Sequence, residues 1–266
     1  MTAVTVKTLL DMKHAGEKIV CLTAYDASFA ALLDAAGVEV ILVGDSLGMV
    51  IQGRYSTVPV TVADMIYHGR SVAAGCKRAM LMVDMPFMSY ATPEDALHNA
   101  ARIMQEGGAH MVKLEGTANQ AQVVERLAAH GIPVCAHLGL RPQFVHKLGG
   151  YRVQGRGQDA AQELAQDAQV LEQAGADALL LECVPADLAA RIRNAVGIPV
   201  IGIGAGRDCD GQVLVLYDML GITPGKRPRF SKDFLQDGGS VSAALRAYVE
   251  QVKAGAFPGP EHTYVS

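Results

Sequence analysis

Eight short apolar runs, most of them separated by helix-length segments, predict an α/β protein. The expected fold is a single-domain TIM-type (β/α)8 barrel over 1–266 with one helix before the first strand. A faint internal repeat supports this. AAGVEVILVGD, EGGAHMVKLEG, AHGIPVCAHLG, QAGADALLLEC and AVGIPVIGIGA each give a helix-ending glycine, a short spacer, an apolar strand and a polar or glycine exit. Near-continuous apolar strands in such units describe a parallel sheet covered by helices. A length of 266 residues suits one closed barrel.

The elements follow in order. In 5–13, Val6, Leu9, Leu10 and Met12 share a helical face, and this helix can plug one end of the barrel. Strand one spans 18–23, and a helix over 28–36 stops at Gly37. Strand two, 38–43, runs into Asp45-Ser46 and a glycine-punctuated loop. A helix over 62–74, closed by Gly75, leads to strand three at 79–83 and then Asp84. Thr92-Pro93-Glu94-Asp95 starts the next helix, with a hydroxyl cap, proline at the first helical position and acids against the dipole. Strand four, 110–114, delivers Glu115; a helix over 119–130 and strand five, 133–136, lead to His137. The connection 139–157 is long, polar and rich in glycine and arginine, as functional loops or lids are. A helix over 159–174, strand six at 178–181 with Glu182, a helix over 185–196 and strand seven at 199–203 follow, then a strand-eight candidate at 213–216 and a closing helix over 241–253. The rival is an open doubly wound sheet, for which Gly202, Gly204 and Gly206 would be the argument. A dinucleotide fingerprint opens a βαβ unit, however, and these glycines follow the seventh strand.

Composition narrows the function. The net charge is −4 with both signs mixed along the chain, so no basic stripe favours nucleic acid. No stretch approaches a membrane span or a secretory leader. The five cysteines, Cys21, Cys76, Cys135, Cys183 and Cys209, form no C-x-x-C pair, which fits a reducing cytoplasm. Met80, Met82, Met85 and Met88 read as gap-fillers around strand three, and Cys183 as packing, not as a nucleophile.

Barrel enzymes carry their chemistry at the C-terminal ends of the strands. Here those ends present Asp45, Asp84, Glu115, His137 and Glu182 on strands two to six, with Lys113 on the same face as Glu115. Taken singly, each is as readily a cap or a surface ion pair; five adjacent strands ending this way are harder to explain so. Several carboxylates in one mouth repel, and protons, Lys/Arg partners or a divalent cation relieve them. Lys113 neutralises one. Scattered oxygen ligands suit Mg2+ and not zinc, which makes Asp45, Asp84 and Glu115 the candidate metal bed. Such an ion can chelate a 2-oxo acid and stabilise its enolate. Glu182, between Leu179-Leu180-Leu181 and Cys183-Val184, lies in apolar sequence that raises its pKa toward that of a general base. His137 either bonds a substrate carboxylate or orients a loop.

At these residues the chain resembles the ketopantoate hydroxymethyltransferase family. LTAYD at 22–26, GDSLGM at 44–49, DMPFMSYATPE at 84–94, VKLEG at 112–116, HLGLRPQ at 137–143, GGYRVQGR at 149–156, LECVP at 181–185 and IGIGAG at 201–206 carry the likeness over nearly the whole length. It is least diagnostic over 118–129 and after Lys253. The resemblance implies bound Mg2+, 5,10-methylenetetrahydrofolate as one-carbon donor and a homodecamer of two pentamers. It implies that Asp45, Asp84 and Glu115 hold or support the metal, that Asp45, Ser46, Asp84 and Lys113 contact 3-methyl-2-oxobutanoate, and that Glu182 accepts the proton. The product is then 2-dehydropantoate, at the first step of pantothenate synthesis. Three rivals stand beside it: a phosphoenolpyruvate mutase-like barrel, an aldolase using Lys113 as Schiff-base nucleophile, and a barrel that binds a small acid without turnover.

Overall fold

The structure is a computed structural model describing residues 2–223, 225 and 227–265. Its eight parallel strands close in sequence order: β1 (Ile19–Thr23), β2 (Val40–Val43), β3 (Met80–Asp84), β4 (Met111–Glu115), β5 (Val134–Gly139), β6 (Ala178–Glu182), β7 (Val200–Ile203) and β8 (Gly211–Leu214). Pairing of Ile19 with Gly211 and of Leu22 with Leu214 seals the barrel. Every strand residue is buried except Glu182, as expected of a parallel sheet with helices outside and side chains packed inside.

The helices are α1 (Val6–Ala15), α2 (Ala27–Ala36), α3 (Leu47–Val50), α4 (Val62–Gly75), α5 (Pro93–Gly107), α6 (Ala121–Ala128), α7 (Val145–Leu148), α8 (Gln158–Gln173), α9 (Ala186–Ala195), α10 (Leu216–Met219), α11 (Phe234–Gly238) and α12 (Val241–Lys253). Thr5, Asp26, Thr61, Thr92 and Ser240 each accept a bond from a backbone amide in the first turn of the helix they cap. Neighbouring helices α4 and α5 approach closely because Gly69 lacks a Cβ, which would lie 2.9 Å from the Gly107 carbonyl.

The structure matches the expected elements and shifts some ends. The eighth strand lies at Gly211–Leu214 and not at 213–216, because Leu216 already begins α10, its amide bonded to Thr23 Oγ1 at 2.9 Å. The loop after β2 contains the helical turn α3. The connection 139–157 is partly ordered as a 3-10 turn, Pro142–Phe144, followed by α7. Met80, Met82 and Met85 fill space around β3, but Met88 departs from that expectation: it is 63 % exposed with a φ of 64°.

Helix α1 lies under the N-terminal ends of the strands. The Val4 amide bonds the Arg78 carbonyl, just before β3, while Lys13 Nζ reaches Asp210 Oδ2 at 2.8 Å, just before β8. Asp210 also holds Arg193 Nε at 2.7 Å and the Val200 amide at 3.0 Å. Leu9 and Met12 point inward and are buried. The barrel therefore has a floor, and its chemistry-bearing side chains gather at the other end.

Candidate active site

The ends of β2 to β6 deliver polar groups, two of them from β4, and the groups meet. Asp45 follows β2, Asp84 closes β3, Lys113 and Glu115 share a face of β4, His137 lies in β5 and Glu182 closes β6. Asp84 Oδ2 accepts from the Asp45 amide at 3.0 Å, and Asp84 Oδ1 lies 3.0 Å from Lys113 Nζ. Lys113 Nζ is 3.2 Å from His137 Nδ1, and His137 Nε2 is 3.3 Å from Glu182 Oε2. Ser46 Oγ shares a 2.9 Å hydrogen bond with Tyr25 OH. All the sequence-proposed residues thus lie at one mouth.

Charge in this mouth is unbalanced. Four carboxylates, Asp45, Asp84, Glu115 and Glu182, face one ammonium. Burial raises the pKa of both aspartates and Lys113 opposes the shift at each; the charge of Asp84 raises Asp45 further, whereas the hydrogen bonds from Asp45 hold Asp84 back. Burial and then Asp45 push Glu115 well above the usual carboxylate range. Burial likewise raises Glu182 to about 8, against the pull of Lys113. At Lys113 burial disfavours the charge, yet Asp84, Glu115 and Asp45 together outweigh it and raise the pKa above the usual lysine value. A free amine, which a Schiff-base nucleophile needs, is therefore disfavoured here.

His137 is driven the other way. Burial, then the charges of Lys113 and Arg141, hold its pKa well below the ordinary value, so the ring is neutral. Its approach to Glu115 Oε1 at 3.7 Å and to Glu182 is then not ion pairing. An ammonium has protons only to give, so Nδ1 accepts from Lys113 and the ring proton lies on Nε2, facing Glu182.

Two buried carboxylate oxygens, Asp84 Oδ1 and Glu115 Oε1, have no aligned hydrogen-bond donor. Such spare lone pairs fit a hard cation. Among the described residues no three His, Cys, Asp or Glu side chains form a ready-made ligand group. The arrangement therefore fits an open site in which Asp45 and Asp84 supply oxygens and water and substrate supply the rest, with Glu115 behind them; it is not a closed three-carboxylate cage.

Sequence reasoning missed three residues that build this mouth. Gln143 bonds Asp45, Glu115 and the Met85 carbonyl; Tyr90 OH bonds Gln143 Oε1 and the Glu115 amide; Tyr25 holds Ser46. Gln143 and Tyr90 come from loops, where no periodicity signals an inward side chain. Cys183, beside Glu182, is 4 % exposed with its thiol pushed up by burial and by Glu182, consistent with packing.

A 3-methyl-2-oxobutanoate hydroxymethyltransferase of Alkalilimnicola ehrlichii is 65 % identical over 261 residues, covering 98 % of this chain and 94 % of that protein. One of Nitrosococcus oceani is 60 % identical over 264 residues, covering 99 % of this chain and all of its relative. In fold the chain is similar to a phosphonopyruvate hydrolase solved with oxalate and Mg2+, at a TM-score of 0.63 and 14 % identity over 98 % of this chain and 93 % of that one. A sequence model described as ketopantoate hydroxymethyltransferase matches residues 3–260, and the chain belongs to that family.

Proposed function

We propose that this barrel transfers a hydroxymethyl group from 5,10-methylenetetrahydrofolate to 3-methyl-2-oxobutanoate, giving 2-dehydropantoate, the first step of pantothenate synthesis. Besides family membership, the supporting observation is the meeting of four carboxylates, one buried ammonium and a neutral imidazole at a single strand-end mouth.

In this proposal Asp45 and Asp84, supported by Glu115, hold Mg2+. When bound, the ion supplies Lewis-acid stabilisation of negative charge on the substrate's 2-oxo oxygen. Lys113 and Ser46 bind the keto acid beside the aspartates, the ammonium matching its anionic oxygens. Glu182 takes the proton from C3. It is the one strand residue that is only part-buried, and its pKa of about 8 makes it basic enough to take a carbon-bound proton. The neutral ring of His137 stands beside this base, its Nε2 3.3 Å from Glu182 Oε2. The deprotonated C3 then bonds the methylene carbon of the donor as one of its two C–N bonds breaks; water displaces the second nitrogen at that carbon to give the hydroxymethyl group, and the freed nitrogens of tetrahydrofolate take the proton held by Glu182 and one proton from the water.

The test is exchange of the C3 proton of 3-methyl-2-oxobutanoate with D2O, followed by NMR. Glu182→Gln should lower the rate about 10²–10⁴-fold while Mg2+ still binds. Exchange at the wild-type rate removes Glu182 from this role. Dependence of product on the folate donor, read by mass spectrometry, separates the proposal from a mutase-like carbon–carbon chemistry. Five free cysteines support a reducing cytoplasmic setting, and among the described residues no helix is long and apolar enough to cross a membrane. The proposed assembly is a decamer of two pentamers, which sedimentation measures.

A further inference from the structure

Gln143 enters the mouth from the connection after β5, inside the turn Pro142–Phe144, and is 3 % exposed. Its Nε2 donates to Asp45 Oδ2 at 2.8 Å and to the Met85 carbonyl at 3.0 Å. Its Oε1 accepts from Tyr90 OH, and its backbone amide donates to Glu115 Oε2 at 3.0 Å. Tyr90 OH in turn accepts from the Glu115 amide at 3.3 Å. The amide has only one workable orientation, because turning it over would set Oε1 against two acceptors, Asp45 Oδ2 and the Met85 carbonyl. A single loop residue therefore ties the carboxylates that follow β2 and close β4, and Tyr90 locks its far end.

We infer, resting on the cation reading proposed above, that Gln143 is a positioning residue: its side chain clamps Asp45 so that this aspartate meets the divalent cation in one fixed orientation. Partners that orient a metal-binding carboxylate typically change metal affinity or activity about 10–100-fold when removed. The backbone bond to Glu115 does not depend on the side chain at this position, so substitutions at Gln143 remove its side-chain bonds to Asp45, Met85 and Tyr90 and leave that one in place. A part confined to fold stability would lower the melting temperature and leave the cation affinity of the folded protein untouched.

Mn2+ is the probe, titrated by electron paramagnetic resonance without keto acid or folate, with thermal denaturation alongside. Gln143→Met keeps the volume but cannot donate, and should weaken Mn2+ binding about 10–100-fold. Wild-type affinity in that variant, whatever its melting temperature, overturns the clamp. Should Gln143→Met fail to fold, Gln143→Glu decides: it keeps the shape and the oxygen facing Tyr90 but replaces the Nε2 donor to Asp45 with an acceptor, so weakened Mn2+ binding supports the clamp and wild-type affinity overturns it. Absence of Mn2+ binding by the wild-type protein overturns the cation reading itself, and the clamp with it.

Discussion

Glu182→Gln should make this protein more stable and less active at once, and the gain should grow with pH. An amide of the same shape replaces a carboxyl whose pKa is 4.5 in the unfolded chain and about 8 in the fold. Because the folded protein holds this proton more tightly, the wild-type stabilisation is complete below pH 4.5 and is lost as pH rises through 8. Each unit costs about 1.4 kcal/mol, so the variant should exceed wild type by about 1 kcal/mol at pH 5, about 3 at pH 7 and about 5 above pH 8. At roughly 2–4 °C per kcal/mol for a domain of this size, the melting temperatures should differ by about 6–12 °C at pH 7. The assay is thermal denaturation of both proteins in EDTA from pH 5 to 9. A difference that stays flat with pH, or a variant less stable than wild type at pH 8, refutes the desolvated-carboxyl account of Glu182. A raised stability coupled to lost proton exchange would mark Glu182 as a strained functional group of the kind that active sites retain.

Other consequences are measurable in the same way. Lys113→Met removes the ammonium 3.0 Å from Asp84 and should cost about 3–5 kcal/mol in urea denaturation at pH 8, with a loss that shrinks as pH falls, because burial raises the Asp84 pKa and eases its protonation. Asp210→Asn leaves Lys13 and Arg193 without their shared anion and should cost about 3 kcal/mol, while C3 proton exchange by the folded fraction is unchanged. Mg2+ at 100 times its dissociation constant should stabilise the protein by about 2.7 kcal/mol, and a given Mg2+ concentration should stabilise it more at pH 8 than at pH 5, since the carboxylates of the mouth must shed protons to bind it. Equal melting-temperature shifts at the two pH values would count against Asp45 and Asp84 as its ligands.

The strands were legible because a parallel barrel buries both faces of each one and so writes it as an unbroken apolar run, as in Leu179-Leu180-Leu181 before Glu182. The acids stood out because each breaks such a run at its end. Strand eight was placed two residues late because Val215-Leu216 is as apolar as the strand before it, and only the Leu216 amide bond to Thr23 Oγ1 shows the turn. Met88 lies in sequence among buried methionines, yet a positive φ in the loop after β3 turns it to solvent. Gln143 and Tyr90 were invisible for a different reason: each is one polar residue in an irregular loop, and its importance lies in partners remote in sequence, Asp45 being 98 positions from Gln143.

The helix drawn across the base makes the barrel a blind well. Leu9 and Met12 pack inward and Lys13 is pinned to Asp210, so the base is covered. Whatever binds deepest must arrive first and depart last. In the proposed reaction a small acid seated on Asp45 and Asp84 would load before a bulky one-carbon carrier covers it, and the enlarged acid would leave after the spent carrier, a compulsory sequence of entry and departure that product-inhibition kinetics can read.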